Sequence, residues 1–225
     1  MRAVPDSTST PPSPAESHRL PRTVEPVTYR LELIPDLEAS TFSGTVEIDV
    51  RIHQQTDVVV LNAAELKITE ATVVPPAADP VSASVSLDDV GERATLQLPA
   101  PLAKGDATVR LAFSGILNDK LRGFYRSTFT DERGRHRTIA TTQMEATDAR
   151  RAFPCWDEPD RKATYEVTLV VDEDLAAYSN SPILAEEAVT VDGRRKRRVR
   201  FGPTMKMSTY LVAFVIGPLE ATEPV

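Results

Sequence analysis

Short runs of alternating apolar and polar residues recur along this chain, each cut off by a turn after about ten residues, and that rhythm leaves room for little but a β fold. Residues 27–33 set the pattern: Tyr29, Leu31 and Leu33 fall on one side and Arg30 and Glu32 on the other, the period of a half-buried strand. Pro35-Asp36 ends that run, and Phe42-Ser43-Gly44 leads into a second alternation over residues 45–52. Residues 58–61 are continuously apolar, the mark of a strand buried on both faces. Further strands are expected over residues 66–74, 81–87, 94–98 and 108–113, separated by Pro75-Pro76, Asp89-Val90-Gly91 and Lys104-Gly105-Asp106. After a less regular middle come a strand over residues 163–171 and a hairpin whose arms, 189–191 and 197–201, flank Asp192-Gly193. A buried strand is expected over residues 209–216, ended by Gly217-Pro218. No amphipathic helix of more than two turns stands out. The expected fold class is all-β and sandwich-like, with several packed sheets of mostly antiparallel strands.

The N-terminus has a different texture. Met1-Arg2-Ala3-Val4-Pro5 opens a Ser/Thr/Pro tract that runs to Pro14, with nothing apolar to bury. Residues 1–20 therefore read as a disordered leader and residues 21–225 as the folded domain. Neither the apolar core of a secretory signal nor a stretch of about 18 apolar residues able to span a bilayer is present, so no membrane association is expected. The formal charge of -7 argues against a nucleic-acid partner, whose phosphates require a cationic surface. The basic run Arg194-Arg195-Lys196-Arg197-Arg198 follows the Asp192-Gly193 turn and reads as a solvated hairpin tip. Cys155, the one cysteine, cannot form an internal disulfide, and a reducing, cytoplasmic setting is expected.

Residues 121–161 break the rhythm. GFYRS at 123–127 and TTQMEATDARRAFPCWDEP at 141–159 pack acids, arginines, aromatics and prolines together with little alternation, the texture of an ordered, site-forming loop on a β scaffold. Asp148, Arg150, Arg151, Asp157 and Glu158 could be taken for a catalytic carboxylate cluster. Opposite charges at such short spacing satisfy one another more naturally as a network that pins the loop. Cys155, between Pro154 and Trp156 and with no histidine near it in sequence, reads as a buried, inert thiol. Trp156 suits either core or interdomain packing.

These segments resemble the N-terminal domain of the aminopeptidase N family of zinc peptidases, especially its puromycin-sensitive-like branch. Phe42-Ser43-Gly44 and KMSTYLVAF at 206–214 match further family segments in the same order, so the resemblance runs over about residues 20 to 220. It implies a saddle-shaped β domain within a multidomain enzyme that releases single residues from peptide N-termini. In that family the zinc sits on an H-E-x-x-H helix with a downstream glutamate, and a G-x-M-E-N strand helps to hold the substrate. Neither motif occurs here, and none of His18, His53 and His136 is followed by Glu or spaced as a ligand pair. The expectation is a chain with no catalytic residue, no metal ligand and no cofactor of its own, zinc being implied for the complete enzyme.

The same resemblance carries roles to two residues. Gln143 would line the pocket for the substrate's first side chain, and Glu145 would accept hydrogen bonds from its free α-amine. Met144 stands where the family often has Phe, and its side chain is expected to pack away from the site. The implied partners are a catalytic domain, which would cover residues 143–156, and peptide N-termini. A function of another class, a stand-alone β-sheet binding or scaffold module derived from such an enzyme, is the alternative.

Overall fold

The computed structural model describes residues 19–76 and 78–221, so the leader up to position 18, His18 included, lies outside the described residues. Strand β1 (Val24–Asp36) and strand β2 (Thr41–Ile52) carry the two clearest alternations; β2 buries every second residue, and β1 does so from Tyr29 onward, past a bulge at Val27. Short loops and turns then separate β3 (Thr56–Asn62), β4 (Lys67–Val74), β5 (Val81–Ser82), β6 (Ser84–Asp88), β7 (Arg93–Leu102) and β8 (Gly105–Ile116). A hairpin of β9 (Gly123–Thr130) and β10 (His136–Gln143) precedes the motif-rich loop. Then come β11 (Thr164–Asp172), β12 (Ala176–Ser179), the hairpin β13 (Ile183–Val191) with β14 (Arg194–Phe201), and β15 (Phe214–Gly217).

Three sheets result. Eight strands pair in the order β13-β14-β11-β1-β2-β8-β4-β5, four as β12-β15-β10-β9 and three as β3-β7-β6. Every pairing is antiparallel except β1 with β11, which run parallel with Tyr29 opposite Tyr165. One face of the eight-stranded sheet is a charged lattice: Arg30 binds Asp49 and Glu47, Arg110 binds Glu47, and Arg198 binds Glu32. The other face presents Tyr29, Leu31, Val46, Ile48, Val109, Leu111, Val167 and Leu169, all nearly fully buried. They share one core with Val59, Leu61 and Leu96 of the three-stranded sheet and with Phe124, Phe214 and Ile216 of the four-stranded one. Burial of that apolar face between layers is what makes the sandwich stable.

The all-β expectation holds, with corrections in detail. The strand expected over 81–87 is two strands, broken at Ala83, whose N–H turns to the Ala71 carbonyl; β5 pairs with β4 while β6 pairs with β7 in another sheet. The apolar run 58–61 is buried on one face only: Val59 and Leu61 are in the core, but Val58 and Val60 are half-buried because they lie on the outer face of their sheet, beside Gln97 and Thr95 of β7. The strand expected over 209–216 is a 3₁₀ turn at Thr209–Leu211 followed by the short β15. There the Asn180 side chain supplies the pairing that a neighbouring strand would have made, accepting from the Ala213 N–H and donating to the Leu211 carbonyl. The hairpin at Asp192-Gly193 forms as expected, both residues taking positive φ (50° and 76°), the combination a two-residue I′ turn demands. The basic run is not a tip but strand β14 itself. Each of its members faces an acid: Arg194 with Asp36, Arg195 with Glu173, Lys196 with Asp172, Arg197 with Glu186 and Arg198 with Glu187.

Candidate functional site

The loop 143–161 begins where β10 ends. Gln143, the last residue of that strand, pairs with Gly123 at the start of β9, so the sheet delivers it at a defined place and orientation. Its Oε1 accepts from the Glu145 N–H at 3.3 Å, and the Asp148 N–H returns to the Met144 carbonyl at 2.9 Å, which closes a turn around Glu145. Met144 is buried and points into the domain, away from the exposed Gln143 and Glu145 as expected. The Glu145–Ala146 peptide is cis. From Ala149 a 3₁₀ turn carries the chain back into the core.

The second half of the loop is interior, not interface. Phe153, Cys155 and Trp156 are fully buried within this domain, so a neighbour cannot cover all of 143–156 as expected, and the exposed positions of that stretch lie around Glu145. Trp156 is core: its backbone N–H donates to the Tyr29 hydroxyl at 3.0 Å, and its carbonyl accepts from Thr209 Oγ1 at 2.8 Å. The Tyr165 hydroxyl in turn donates to Thr209 Oγ1, also at 2.8 Å, while the Tyr29 and Tyr165 rings stack 4.8 Å apart. Burial raises both phenols above their usual range. Burial also pushes the Cys155 thiol well up, with Asp157 adding to the effect, so the thiolate that nucleophilic chemistry would need is suppressed. A two-bond bridge joins Cys155 and Asn62 backbone to backbone, and the Asn62 side chain accepts from the Asp157 N–H.

The charged residues form the pinning network. Arg150 Nε donates to Asp157 at 3.0 Å and its Nη1 to Glu92 at 3.0 Å. Arg151 Nε donates to Asp148 at 2.8 Å, its Nη1 to Glu65 at 2.8 Å and its Nη2 to Glu92. Arg161, nearly fully buried, binds Glu25 at 2.6 Å and Glu158 at 3.3 Å. Asp157 is buried deeply enough that desolvation raises its pKa even against the pull of Arg150. Sequence had named Asp148, Arg150, Arg151, Asp157 and Glu158, but it missed Glu65 and Glu92, which stand on distant turns with no local pattern to mark them. Of the five acids in residues 143–161, four have a cationic partner: Asp148, Asp157, Glu158 and Asp160. Among the described residues the fifth, the Glu145 carboxylate, makes no ion pair and no hydrogen bond.

Among the described residues no group of three or more His, Cys, Asp or Glu side chains stands close enough to hold a metal ion. His53 lies against Glu25 and His136 against Thr130, far apart in the fold. These residues do not fit a zinc centre. A cleft of about 850 Å³ lies elsewhere, bordered by Phe42, Lys67, Gly115 and Arg194, and includes neither Gln143 nor Glu145.

The fold defines a β-sandwich domain, and its loop 143–161 presents one acid without a cationic partner, Glu145, on a hydrogen-bonded turn. The chain belongs to the peptidase M1 N-terminal domain family, whose profile matches residues 25–211. It is 45% identical over 209 residues to Aminopeptidase M1 of Arabidopsis thaliana, a match covering 91% of this chain and 23% of that protein. It is 42% identical over 211 residues to the puromycin-sensitive aminopeptidase of Caenorhabditis elegans, covering 93% of this chain and 22% of that protein. With the alanine/arginine aminopeptidase of Saccharomyces cerevisiae it shares 40% identity over 209 residues, 91% of this chain and 24% of that protein. The chain thus spans about a quarter or less of the length of these curated relatives. Among the described residues no helix is long and apolar enough to cross a membrane.

Proposed function

We propose that this domain anchors the substrate's free N-terminus in a zinc-dependent aminopeptidase, with the zinc and the hydrolytic chemistry held by a catalytic domain that covers the turn at Glu145. The observation that carries this reading is the unpaired, exposed Glu145 carboxylate on a loop whose other four acids are all neutralised. A fixed carboxylate facing a protonated amine makes a charge-assisted hydrogen bond, and it selects the first residue of a peptide because an internal peptide bond offers no cation. Gln143, whose carbonyl oxygen braces the Glu145 backbone, lines the pocket for the first side chain. On this reading the folded domain begins at Arg19 rather than at residue 21, since Leu20 is buried and Arg19 binds Asp160, the residues before it are a dispensable leader, and the cytoplasm is the place of action.

The test is steady-state kinetics of the complete enzyme that carries this domain. Glu145→Ala removes a charged hydrogen bond of roughly 1.5–3 kcal/mol, so kcat/KM for aminoacyl substrates should fall about ten- to hundredfold, with zinc content and melting temperature unchanged. Glu145→Gln should lie between wild type and Ala. Gln143→Ala should instead reorder preferences among first side chains. Wild-type kinetics for Glu145→Ala would overturn the proposal.

A further inference from the structure

Two glutamates outside the motif hold its arginines, and both do so from an unusual backbone conformation. Glu65, on the link between β3 and β4, has φ 57°, and Glu92, between β6 and β7, has φ 51°. Side chains other than glycine rarely occupy that left-handed region, and where they do, surrounding contacts hold them there. Here the contacts are visible. Glu92 takes Arg150 on one oxygen and Arg151 on the other, while one oxygen of Glu65 takes both Arg151 and Arg122. The Glu92 carbonyl also accepts from the Ala63 N–H, and the Ala64 N–H donates to the Arg150 carbonyl, so the turns and the loop are tied through backbone as well.

From this clamp a short path leads to the turn at Glu145. Arg151 binds the Asp148 carboxylate, and the Asp148 N–H closes the turn on the Met144 carbonyl. The Arg151 side chain also packs beneath Gly123, the residue paired with Gln143: a Cβ built on Gly123 would lie 2.7 Å from Arg151 Cβ. Arg151 therefore meets Asp148 at one end of the exposed turn and Gly123, the strand partner of Gln143, at the other, and burial costs its charge something that Asp148, Glu92 and Glu65 together more than restore.

We propose that Glu92 and Glu65 are positioning residues: through Arg151 and Asp148 they fix the turn that carries Gln143 and Glu145. This rests on the substrate-anchoring reading of Glu145. Neither glutamate touches substrate. Their contribution is to hold the backbone of the turn, and so the point from which the Glu145 side chain extends, in one place before the substrate amine arrives, while keeping Arg151 engaged elsewhere.

Two measurements test the proposal. In the 225-residue chain, amide hydrogen exchange at the Asp148 N–H should quicken at least tenfold in Glu92→Gln, while amides of β1 and β11 keep their wild-type rates. Glu92→Gly, which suits the positive φ but removes the carboxylate, should quicken exchange to the same extent with little change in melting temperature; Glu65→Gln should act in the same direction. In the complete enzyme, Glu92→Gln should lower kcat/KM for aminoacyl substrates about five- to tenfold, mostly in KM. The same change should cost almost nothing in a Glu145→Ala background, because the residue it positions is gone. Unchanged exchange in both Glu92 variants overturns the proposal, as does an equal kinetic loss in both backgrounds. If Glu145→Ala alone retains wild-type kinetics, the anchoring reading fails and the positioning role falls with it. If Glu145→Ala is impaired but Glu92→Gln is not, anchoring stands and positioning is overturned.

Discussion

Gly123 shows how little room the site leaves. Its φ of 66° and the would-be contact with Arg151 both exclude a side chain, so Gly123→Ala should cost about 1–3 kcal/mol in urea denaturation of the chain. A variant as stable as wild type would mean that β9 can move off Arg151 freely. Thr209 is a second such residue. Thr209→Val keeps the shape but leaves the Tyr165 hydroxyl and the Trp156 carbonyl without their partner, a loss of roughly 1–3 kcal/mol in the same assay. At this scale the sequence was informative where residues cluster and silent where they do not. Gln143 and Glu145 lie inside a run of acids, arginines and aromatics too unlike a β strand to overlook. Glu65 and Glu92 are single acids on surface-like turns, and only the folded chain brings them to Arg151.

Among the elements, the hairpin of β9 and β10 went unread because β10, His136–Gln143, is mostly polar and buries only Ala140 fully. Its cue lay in the turn. Asp131 Oδ1 accepts from the Arg133 and Arg135 N–H groups and Oδ2 from the Arg135 and Arg137 side chains. The Arg135 N–H foremost, with those two arginine side chains, holds the Asp131 carboxyl down to about 2. A carboxylate lowered on folding stabilises the native state above its ordinary pKa near 4, and that contribution fades as pH falls towards 2. Asp131→Asn should therefore melt below wild type at pH 7, with the gap narrowing between pH 4 and pH 2 in a thermal series. A gap that stays constant with pH would show that the carboxylate charge is not what secures the turn. The misread strands have equally concrete causes. The run over 81–87 alternates like one strand, but Ala83 is where it changes sheets, and alternation does not record which partner a strand takes. Residues 209–216 are apolar enough for a strand, yet Thr209 is drawn inward by Tyr165 and Trp156, which shapes a turn instead.

Across the whole molecule, the N-terminal segment is fastened to the motif loop. Leu20 is buried and its N–H bonds Glu158, the Pro21 carbonyl accepts from Arg161, and Arg19 and Arg22 both bind Asp160. A chain beginning at Arg19 should melt within a degree or two of the full one, the Ser/Thr/Pro tract having nothing to bury. A chain beginning at Val24 should melt several degrees lower, because it exposes the Leu20 site and strips Arg161 and Glu158 of partners. Equal melting of the two truncations would show that the fastening contributes nothing. The layered β architecture was legible from alternation and turns alone; the sharing of one core by three sheets was not, since layer assignment depends on pairings between residues far apart in the chain.

The most distant of those pairings is β1 with β11, where Thr28 and Thr164 meet across 136 positions. On a ribosome β1 can zip onto β2 once residue 52 has emerged, but its second edge must wait for residue 164. Until then a nascent chain carries a long strand with one row of amide and carbonyl groups unanswered and Tyr29, Leu31 and Leu33 uncovered on one face. The seam near the middle of the sheet thus closes late, with only β14 and β13 left to add beyond it. Refolding should be slow, in the range of milliseconds to seconds that such non-local topologies show, and a chain halted short of β11 should aggregate through its open β1 edge.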